Sequence, residues 1–197
     1  MKQIIINQIK ESIEVKRSIL SNDSMHEDIA KAAYNIIDAY NNKKKTLLAG
    51  NGGSAGDAQH IAGELVSRFN FNRPGLPSIA LTTDSSIMTA VSNDYGFKQI
   101  FARQVEAQGS QGDVFIGIST SGNSENLIEA LKACKEVGFY TIGLTGQTGG
   151  AMKEFCDICL KVPSTNTPRI QESHIVIGHI ICGLVEEGLF GHLKPSI

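Results

Sequence analysis

Apolar side chains recur at every third or fourth position through the first forty residues of the chain. One stripe contains Ile5, Ile9, Ile13, Lys16 and Leu20, and a second contains Ile29, Ala32, Ala33, Ile36, Ile37 and Tyr40. This spacing predicts two amphipathic helices within residues 1–41, the second capped by Asp23 or Ser24. Because no strand precedes them, we expect the pair either to pack against a partner subunit or to cover the chain's own sheet.

Beyond residue 45, short apolar runs alternate with helical patterns. The runs lie at 46–49, 78–82, 114–118, 141–144 and 158–162, and a last helix is predicted over 169–190. Since the runs are apolar on both faces, they predict a parallel sheet covered by helices on both sides. We find no linker or repeat, so the sequence predicts one domain over 1–197 with its α/β core at 45–190.

The most informative stretch is 113–125, where an apolar run leads into a turn rich in hydroxyls and then into a helix. The hydroxyls belong to Ser119, Thr120, Ser121 and Ser124, around Gly122 and Asn123. The first turn of a helix has unpaired N–H groups that favour an anion. The turn lacks the Gly-Lys-Ser/Thr ending of a nucleotide-binding loop, so it fits a single phosphate group, as on a phosphosugar. An ordinary serine-rich helix cap is the alternative.

A second loop of this kind follows the run at 46–49 and contains Gly50, Gly52, Gly53 and Gly56. Its spacing does not meet the dinucleotide-binding pattern, and no acidic residue follows at the expected distance. In parallel sheets, ligands bind beyond the carboxyl ends of the strands. We therefore expect this loop, the hydroxyl-rich turn and the segment after 78–82 to converge. A polar break is predicted at 92–96.

Candidate metal ligands lie on two helices. His60 and Glu64 are four residues apart and share a helix face, one turn after Asp57. Gln171 and His179 lie about two turns apart on the last helix. Together the four would offer two nitrogens and two oxygens, a set compatible with zinc. A solvated polar stripe and a histidine packed in the core are the alternatives that spacing leaves open.

Composition limits the function classes. A formal net charge of −2 gives no reason to expect nucleic-acid binding. We see no secretory signal and no apolar run of membrane-spanning length, so a cytoplasmic protein is expected. The four cysteines include a CxxC pair, Cys156 and Cys159, but a second such pair is missing and the motif leads into a strand. We therefore interpret the pair as packing residues.

Four segments together resemble the sedoheptulose-7-phosphate isomerases, also called phosphoheptose isomerases, of the sugar-isomerase (SIS) fold. They read GNGGSAGDAQHIAGE at 50–64, SNDYG at 92–96, ISTSGNS at 118–124 and TPRIQESHIVIGH at 167–179. The resemblance covers nearly the whole chain. It implies a flavodoxin-like α/β fold and a homotetramer with active sites at subunit interfaces. It also implies the first step of ADP- or GDP-heptose synthesis for lipopolysaccharide core or capsule, in the cytoplasm of a bacterium.

The resemblance also assigns roles to residues. Glu64 matches the family's catalytic base and His179 its acid/base partner, and both recur among the matches to the family's zinc ligands, with one zinc per subunit. The zinc-ligand matches are His60, Glu64, Gln171 and His179, and the substrate-binding matches are Asn51, Gly52, Gly53, Ser54, Glu64, Asn93, Asp94, Ser119, Thr120, Ser121, Ser124 and Gln171. Gly56 departs from the alanine that we expect in the family.

The implied chemistry suits these residue types. Converting a ketose to an aldose needs a base that takes a proton from the carbon beside the carbonyl, and a group that moves a proton between the oxygens. We expect Glu64 and His179 to fill these roles. Since a carboxylate bound to zinc is a poorer base, the two roles of Glu64 conflict unless zinc is structural or leaves during turnover.

Two other functions compete with the isomerase. A non-catalytic SIS protein that binds the bacterial replication initiator shares the glycine-rich loop and the two leading helices, but does not need Glu64 and His179. A phosphosugar sensor of a transcription regulator would need a DNA-binding domain, for which we expect no room in this chain. The presence of both residues favours the enzyme.

Overall fold

The fold is organised by a five-stranded parallel sheet, seen in a computed structural model that describes residues 1–194. The strands are β1 (Thr46–Gly50), β2 (Ser78–Ala80), β3 (Val114–Ser119), β4 (Tyr140–Thr145) and β5 (Ile158–Lys161). Their spatial order is β2-β1-β3-β4-β5, and every neighbouring pair is parallel. This is the flavodoxin-like order, so the predicted fold is confirmed.

Helices cover both faces of this sheet. They are α1 (Lys2–Leu20), α2 (Asp23–Asn41), α3 (Gly53–Val66), α4 (Ser85–Tyr95), α5 (Ala102–Gln108), α6 (Glu125–Val137) and α7 (Thr167–Phe190), with short 3₁₀ turns at Phe97–Gln99, Met152–Glu154 and Gly191–Leu193. Helices α2, α3 and α7 pack in one apolar cluster with one sheet face, and α5 and α6 in a second with the other.

The alternation of side chains along the strands explains why both faces are buried. Leu48 and Ile116 point into the cluster with α2, α3 and α7, whereas Leu47 and Phe115, one residue earlier on each strand, point into the other. All four are at most 2 % exposed. A strand flanked by helices on both sides must be apolar at consecutive positions, which is the pattern that the sequence shows.

The two leading helices are present as predicted, and they differ in what they cover. Helix α2 packs against α7 and β5, and thus covers the chain's own sheet. Helix α1 contacts α7, and it leaves Ile4, Ile5 and Ile9 more than half exposed. Packing of α1 against a partner subunit stays a prediction.

Three local predictions were wrong or incomplete. Asn22 caps α2, where we expected Asp23 or Ser24, because its side chain accepts a hydrogen bond from the Met25 amide at 3.0 Å. The predicted polar break at 92–96 is helical as far as Tyr95, and Gly96, with φ +88°, ends the helix. Strand β2 ends at Ala80, two residues before the predicted end.

Helix α7 is long and apolar enough to cross a membrane by length and composition alone. Its apolar character has a simpler cause, because one face packs against α2 and α3. Ile177, Ile181 and Val185 on that face are at most 2 % exposed. An apolar core helix passes the same length and composition test, so α7 is weak evidence for a membrane span.

The cysteines occupy packed positions, as predicted. All four are free thiols, and Cys134 and Cys182 are buried. Burial raises the pKa of Cys156 and of Cys182 to about 12, so neither thiol is ionised near neutral pH. Cys156 and Cys159 lie against Gly143 of β4, where a Cβ would meet the Cys156 sulfur at 2.7 Å.

Candidate active site

Two loops meet where β1 and β3 end, at the point where the strand order reverses. Asn51, just after β1, and Asn126, in the first turn of α6, form a reciprocal pair of side-chain hydrogen bonds, each 2.9 Å long. The predicted convergence of the glycine-rich loop and the hydroxyl-rich turn is therefore observed. Asn126 was not among the predicted residues, because nothing in the sequence marks it as the partner of a loop 75 positions earlier.

The hydroxyl-rich turn gathers its oxygens around one point. The Ser119 hydroxyl lies 3.0 Å from that of Ser124 and 3.4 Å from that of Ser121, and it accepts the Gly122 amide at 3.1 Å. Ser124 is the N-cap residue of α6, yet its side chain makes no capping hydrogen bond. Its hydroxyl and the start of a 13-residue helix are thus both available to an anion.

Another glycine-rich segment, residues 146–150, packs against this turn. Gly122, with φ +66°, packs so closely on Gly149 that a Cβ would lie 2.2 Å from the Gly149 carbonyl oxygen. The Met152 amide donates to the Gly122 carbonyl at 2.9 Å, and the Gly146 amide to the Thr120 carbonyl at 3.0 Å. Main-chain contacts therefore help to hold the turn in place.

Three of the four predicted metal ligands come together between α3 and α7. The Nε2 atoms of His60 and His179 lie 2.9 Å apart, and His60 Nε2 lies 3.3 Å from Glu64 Oε1. The three ligand atoms all lie within 4.8 Å of one another, and the site is half exposed. We call His60, Glu64 and His179 the triad. A donor set of two imidazoles and one carboxylate, open to solvent, fits a zinc ion with a free coordination position.

The fourth predicted ligand lies elsewhere along the same pair of helices. Helices α3 and α7 run parallel, because Gln171 lies against Gly53 near the start of both helices and Gly178 lies against Ile61 further along both. A Cβ on Gly53 would lie 2.5 Å from Gln171 Nε2, so the small residue makes room for this amide. Gln171 is eight residues from His179, roughly 12 Å along the helix axis. The structure therefore places the Gln171 amide beside the glycine-rich loop, and its role as a metal ligand stays a prediction.

The other predicted residues divide into two groups. Gly52, with φ +56°, and the buried Ser54 belong to the loop that meets Asn126 and Gln171. Asn93 and Asp94 are exposed on α4, where the Asn93 amide donates to the Asp94 carboxylate at 2.8 Å. Within residues 1–194, no hydrogen bond joins either of these two to the triad or to the hydroxyl-rich turn.

Two titratable groups near the site have perturbed pKa values. Burial raises the pKa of Asp57, while the nearby His60 acts in the opposite direction, and one Asp57 oxygen is buried without a partner. Burial lowers the pKa of His174 to about 4, although its hydrogen bond to the Thr145 carbonyl at 3.1 Å opposes the shift. His174 is therefore a neutral packing residue that ties α7 to the end of β4.

Comparison with known proteins places this chain in a family. The SIS domain matches residues 10–146. The phosphoheptose isomerase of Aneurinibacillus thermoaerophilus is 62% identical over 197 residues, covering 100% of both chains. Phosphoheptose isomerase 2 of Campylobacter jejuni is also 62% identical, over 97% of this chain and 95% of its own. The chain belongs to the phosphoheptose isomerase family of SIS proteins. The family predicted from the four sequence segments is thereby confirmed.

Solved structures of family members have the same fold as this protein. The phosphoheptose isomerase of Neisseria gonorrhoeae superimposes with a TM-score of 0.88 at 41% identity, covering 94% of this chain and 98% of that one. Membership in this family makes the protein a sugar phosphate isomerase.

Proposed function

We propose that the protein converts sedoheptulose 7-phosphate to D-glycero-D-manno-heptose 7-phosphate. The observation that carries the proposal is the meeting of Glu64 with His179, a carboxylate and an imidazole brought together from different helices. Full-length identity of 62% with proteins named phosphoheptose isomerase supports the choice of substrate. As in the family, the product would enter heptose synthesis for a bacterial surface polysaccharide, and the enzyme would work in the cytoplasm.

The hydroxyl-rich turn would bind the phosphate group. The hydroxyls of Ser121 and Ser124 lie within 3.4 Å of the Ser119 hydroxyl, and the three are close to the N-terminus of α6. Neutral donors and a helix dipole suit a phosphate dianion without a cationic side chain. Asn51 to Ser54 and Gln171, which lie on the same edge of the sheet, would contact the sugar chain.

Glu64 would remove a proton from carbon 1 of the open-chain ketose and return it to carbon 2 after an enediol forms. His179 would carry the hydroxyl proton of oxygen 1 to oxygen 2, so that the carbonyl moves from carbon 2 to carbon 1 without net oxidation. Glu64 and His179 are both half-buried and lie close together, so both are open to a substrate. Each transfer needs only one general acid/base group in contact with the sugar.

We further propose that the triad holds one zinc ion per subunit. The fit of the donor set supports this, since two Nε2 atoms and one carboxylate oxygen lie within 4.8 Å. When bound, zinc would polarise the substrate carbonyl or hold the opened sugar. Gln171 is the fourth ligand that we propose, although about two turns of α7 separate it from His179. We also propose a homotetramer with sites at subunit interfaces.

Proton NMR in deuterium oxide tests the reaction. The protein is incubated with sedoheptulose 7-phosphate, with and without zinc, and the products are followed over time. Formation of a heptose 7-phosphate with deuterium at carbon 2 is the expected result. Absence of turnover under both conditions, with phosphosugar binding intact, would overturn the proposal and favour a non-catalytic SIS protein.

Zinc binding has its own test, independent of turnover. A ligand that binds only the folded state raises the melting temperature, by an amount that grows with the ratio of ligand concentration to Kd. We expect zinc to raise the Tm of the wild-type protein and not that of His60→Ala. The matched control is His192→Ala, which removes an exposed histidine far along the chain. An equal zinc-induced rise in the His60→Ala protein would contradict a metal site at the triad.

A further inference from the structure

The loop between α3 and β2, residues 67–77, contains a buried ion pair to helix α7. Arg73 Nε lies 3.1 Å from Glu186 Oε1, and the two side chains are 0 % and 1 % exposed. Charged residues are seldom buried to this degree, and they require nearly complete hydrogen bonding when they are. The remaining partners of each group therefore indicate what the pair connects.

The guanidinium of Arg73 also binds the end of α3. Its Nη1 donates to the Leu65 carbonyl at 2.7 Å and to the Pro74 carbonyl at 2.9 Å, and its Nη2 donates to the Glu64 carbonyl at 2.8 Å. The last carbonyls of a helix have no partners within the helix, so Arg73 satisfies two of them. One of the two belongs to Glu64, the carboxylate of the triad.

The carboxylate of Glu186 binds the loop from the other side. Its oxygens accept the Phe69 amide at 2.7 Å and the Asn70 amide at 2.6 Å, in addition to the Arg73 guanidinium. These contacts set the position of the Phe69 ring, whose centroid lies 5.6 Å from that of His179. Phe69 also lies against Gly183 of α7, where a Cβ would approach its ring to 3.4 Å.

We propose that Arg73, Glu186 and Phe69 are positioning residues for the triad. The ion pair joins the end of α3, which carries His60 and Glu64, to α7, which carries His179. Phe69 then restricts the His179 ring so that its Nε2 stays directed at His60. The proposal concerns the geometry of the triad. Of the readouts below, only zinc affinity rests on the proposed function.

Three variants test the role of Phe69. Phe69→Leu removes the ring while keeping an apolar side chain, and Phe69→Tyr keeps the ring. Phe155→Leu is the matched control, because Phe155 is a half-buried phenylalanine that packs with the other apolar cluster. The readouts are imidazole ¹⁵N shifts of the metal-free protein, zinc affinity by competition with a chelator, Tm and inorganic phosphate binding.

We expect Phe69→Leu to weaken zinc binding by about 10- to 100-fold, the range found when residues that support metal ligands are removed. The His60 and His179 nitrogen shifts should change, while phosphate binding stays within about twofold. Phe69→Tyr should restore zinc affinity. Unchanged shifts and zinc affinity in Phe69→Leu would overturn the proposal, as would equal losses in the Phe155→Leu control.

Arg73→Lys tests the ion pair. A lysine keeps the charge but cannot reach Glu186 and two helix carbonyls at once, because it lacks the planar fork of donors. We expect a lower Tm and weaker zinc binding than in Phe69→Leu. A folded Arg73→Lys protein with wild-type zinc affinity would remove Arg73 from the proposal. If the wild-type protein neither binds zinc nor isomerises, the proposed function fails, whereas the ¹⁵N shifts still decide whether Phe69 positions His179.

Discussion

The Nε2 atoms of His60 and His179 lie 2.9 Å apart, although 119 positions separate the two residues in the chain. A contact of this length is a hydrogen bond, so one of the two nitrogens must be unprotonated. Glu64 Oε1 is 3.3 Å from the same His60 atom. Ligand atoms from two helices are thus already gathered in one small region before any ligand enters.

Replacing Glu64 by glutamine should remove turnover and leave phosphate binding intact. The amide keeps the size of the side chain but cannot accept a proton, and loss of a general base costs about 10²- to 10⁴-fold in rate. Steady-state kinetics and equilibrium binding of inorganic phosphate measure the two effects. Glu136→Gln, at an exposed position on α6, is the control. Retained activity in Glu64→Gln would exclude Glu64 as the base.

Replacing Ser124 by alanine should weaken phosphate binding. A hydrogen bond to a charged group contributes about 1.5–3 kcal/mol, so we expect the Kd for phosphate to rise roughly 10- to 100-fold. The fold should survive, because the Ser124 side chain makes no capping bond to α6. Isothermal titration measures the Kd, and Ser18→Ala on α1 provides the control. An unchanged Kd would exclude Ser124 from the phosphate site.

Replacing Asp57 by asparagine should stabilise the protein at neutral pH. Burial raises the pKa of Asp57, so the charged form is disfavoured in the folded state and lowers stability above the folded pKa. Solvent screens this half-exposed group, and we expect a gain in Tm of only about 1–2 °C. The gain should shrink as the pH falls through the folded pKa and vanish below 3.8, the ordinary value, where the carboxyl becomes protonated in both states. A constant gain at every pH would contradict this cause.

His174 should make the protein sensitive to mild acid. Its folded pKa is about 4 against an ordinary 6.5, so the unfolded chain binds the proton first. Its contribution to stability is therefore complete above pH 6.5 and is lost as the pH falls toward 4, at up to about 1.4 kcal/mol per pH unit. Urea unfolding between pH 7 and 4 measures the slope. His174→Gln should flatten it, and the exposed control His192→Gln should not.

The fold was predictable because its signals are local. Consecutive apolar residues such as Val114, Phe115 and Ile116 are compatible only with a strand covered on both faces, and loops that contain glycine separate such runs from helices. The boundary errors have a local cause too. Ser92, Asn93 and Asp94 favour turns in isolation, but on an exposed helix face they continue α4 until Gly96 ends it.

The candidate site was predictable in part. A helical spacing of four predicted that His60 and Glu64 share a face. The last helix offered His179 as a further candidate ligand, and the resemblance to a family supported placing it with them. The placement of Gln171 against Gly53 did not follow from spacing, because it depends on the parallel packing of α3 and α7. Whether Gln171 joins a metal site, and whether Asn93 and Asp94 contact substrate, stay predictions.

By itself, the sequence determined the sheet, the helices and the chemical groups available at their ends, because periodicity and turn chemistry act over a few residues. Only the tertiary structure decided that Asn51 meets Asn126 and that Arg73 and Glu186 are buried together. A charged residue in a sequence is expected at the surface. Its burial depends on carbonyl and amide groups contributed by distant segments, and packing of the helices brings those groups within reach.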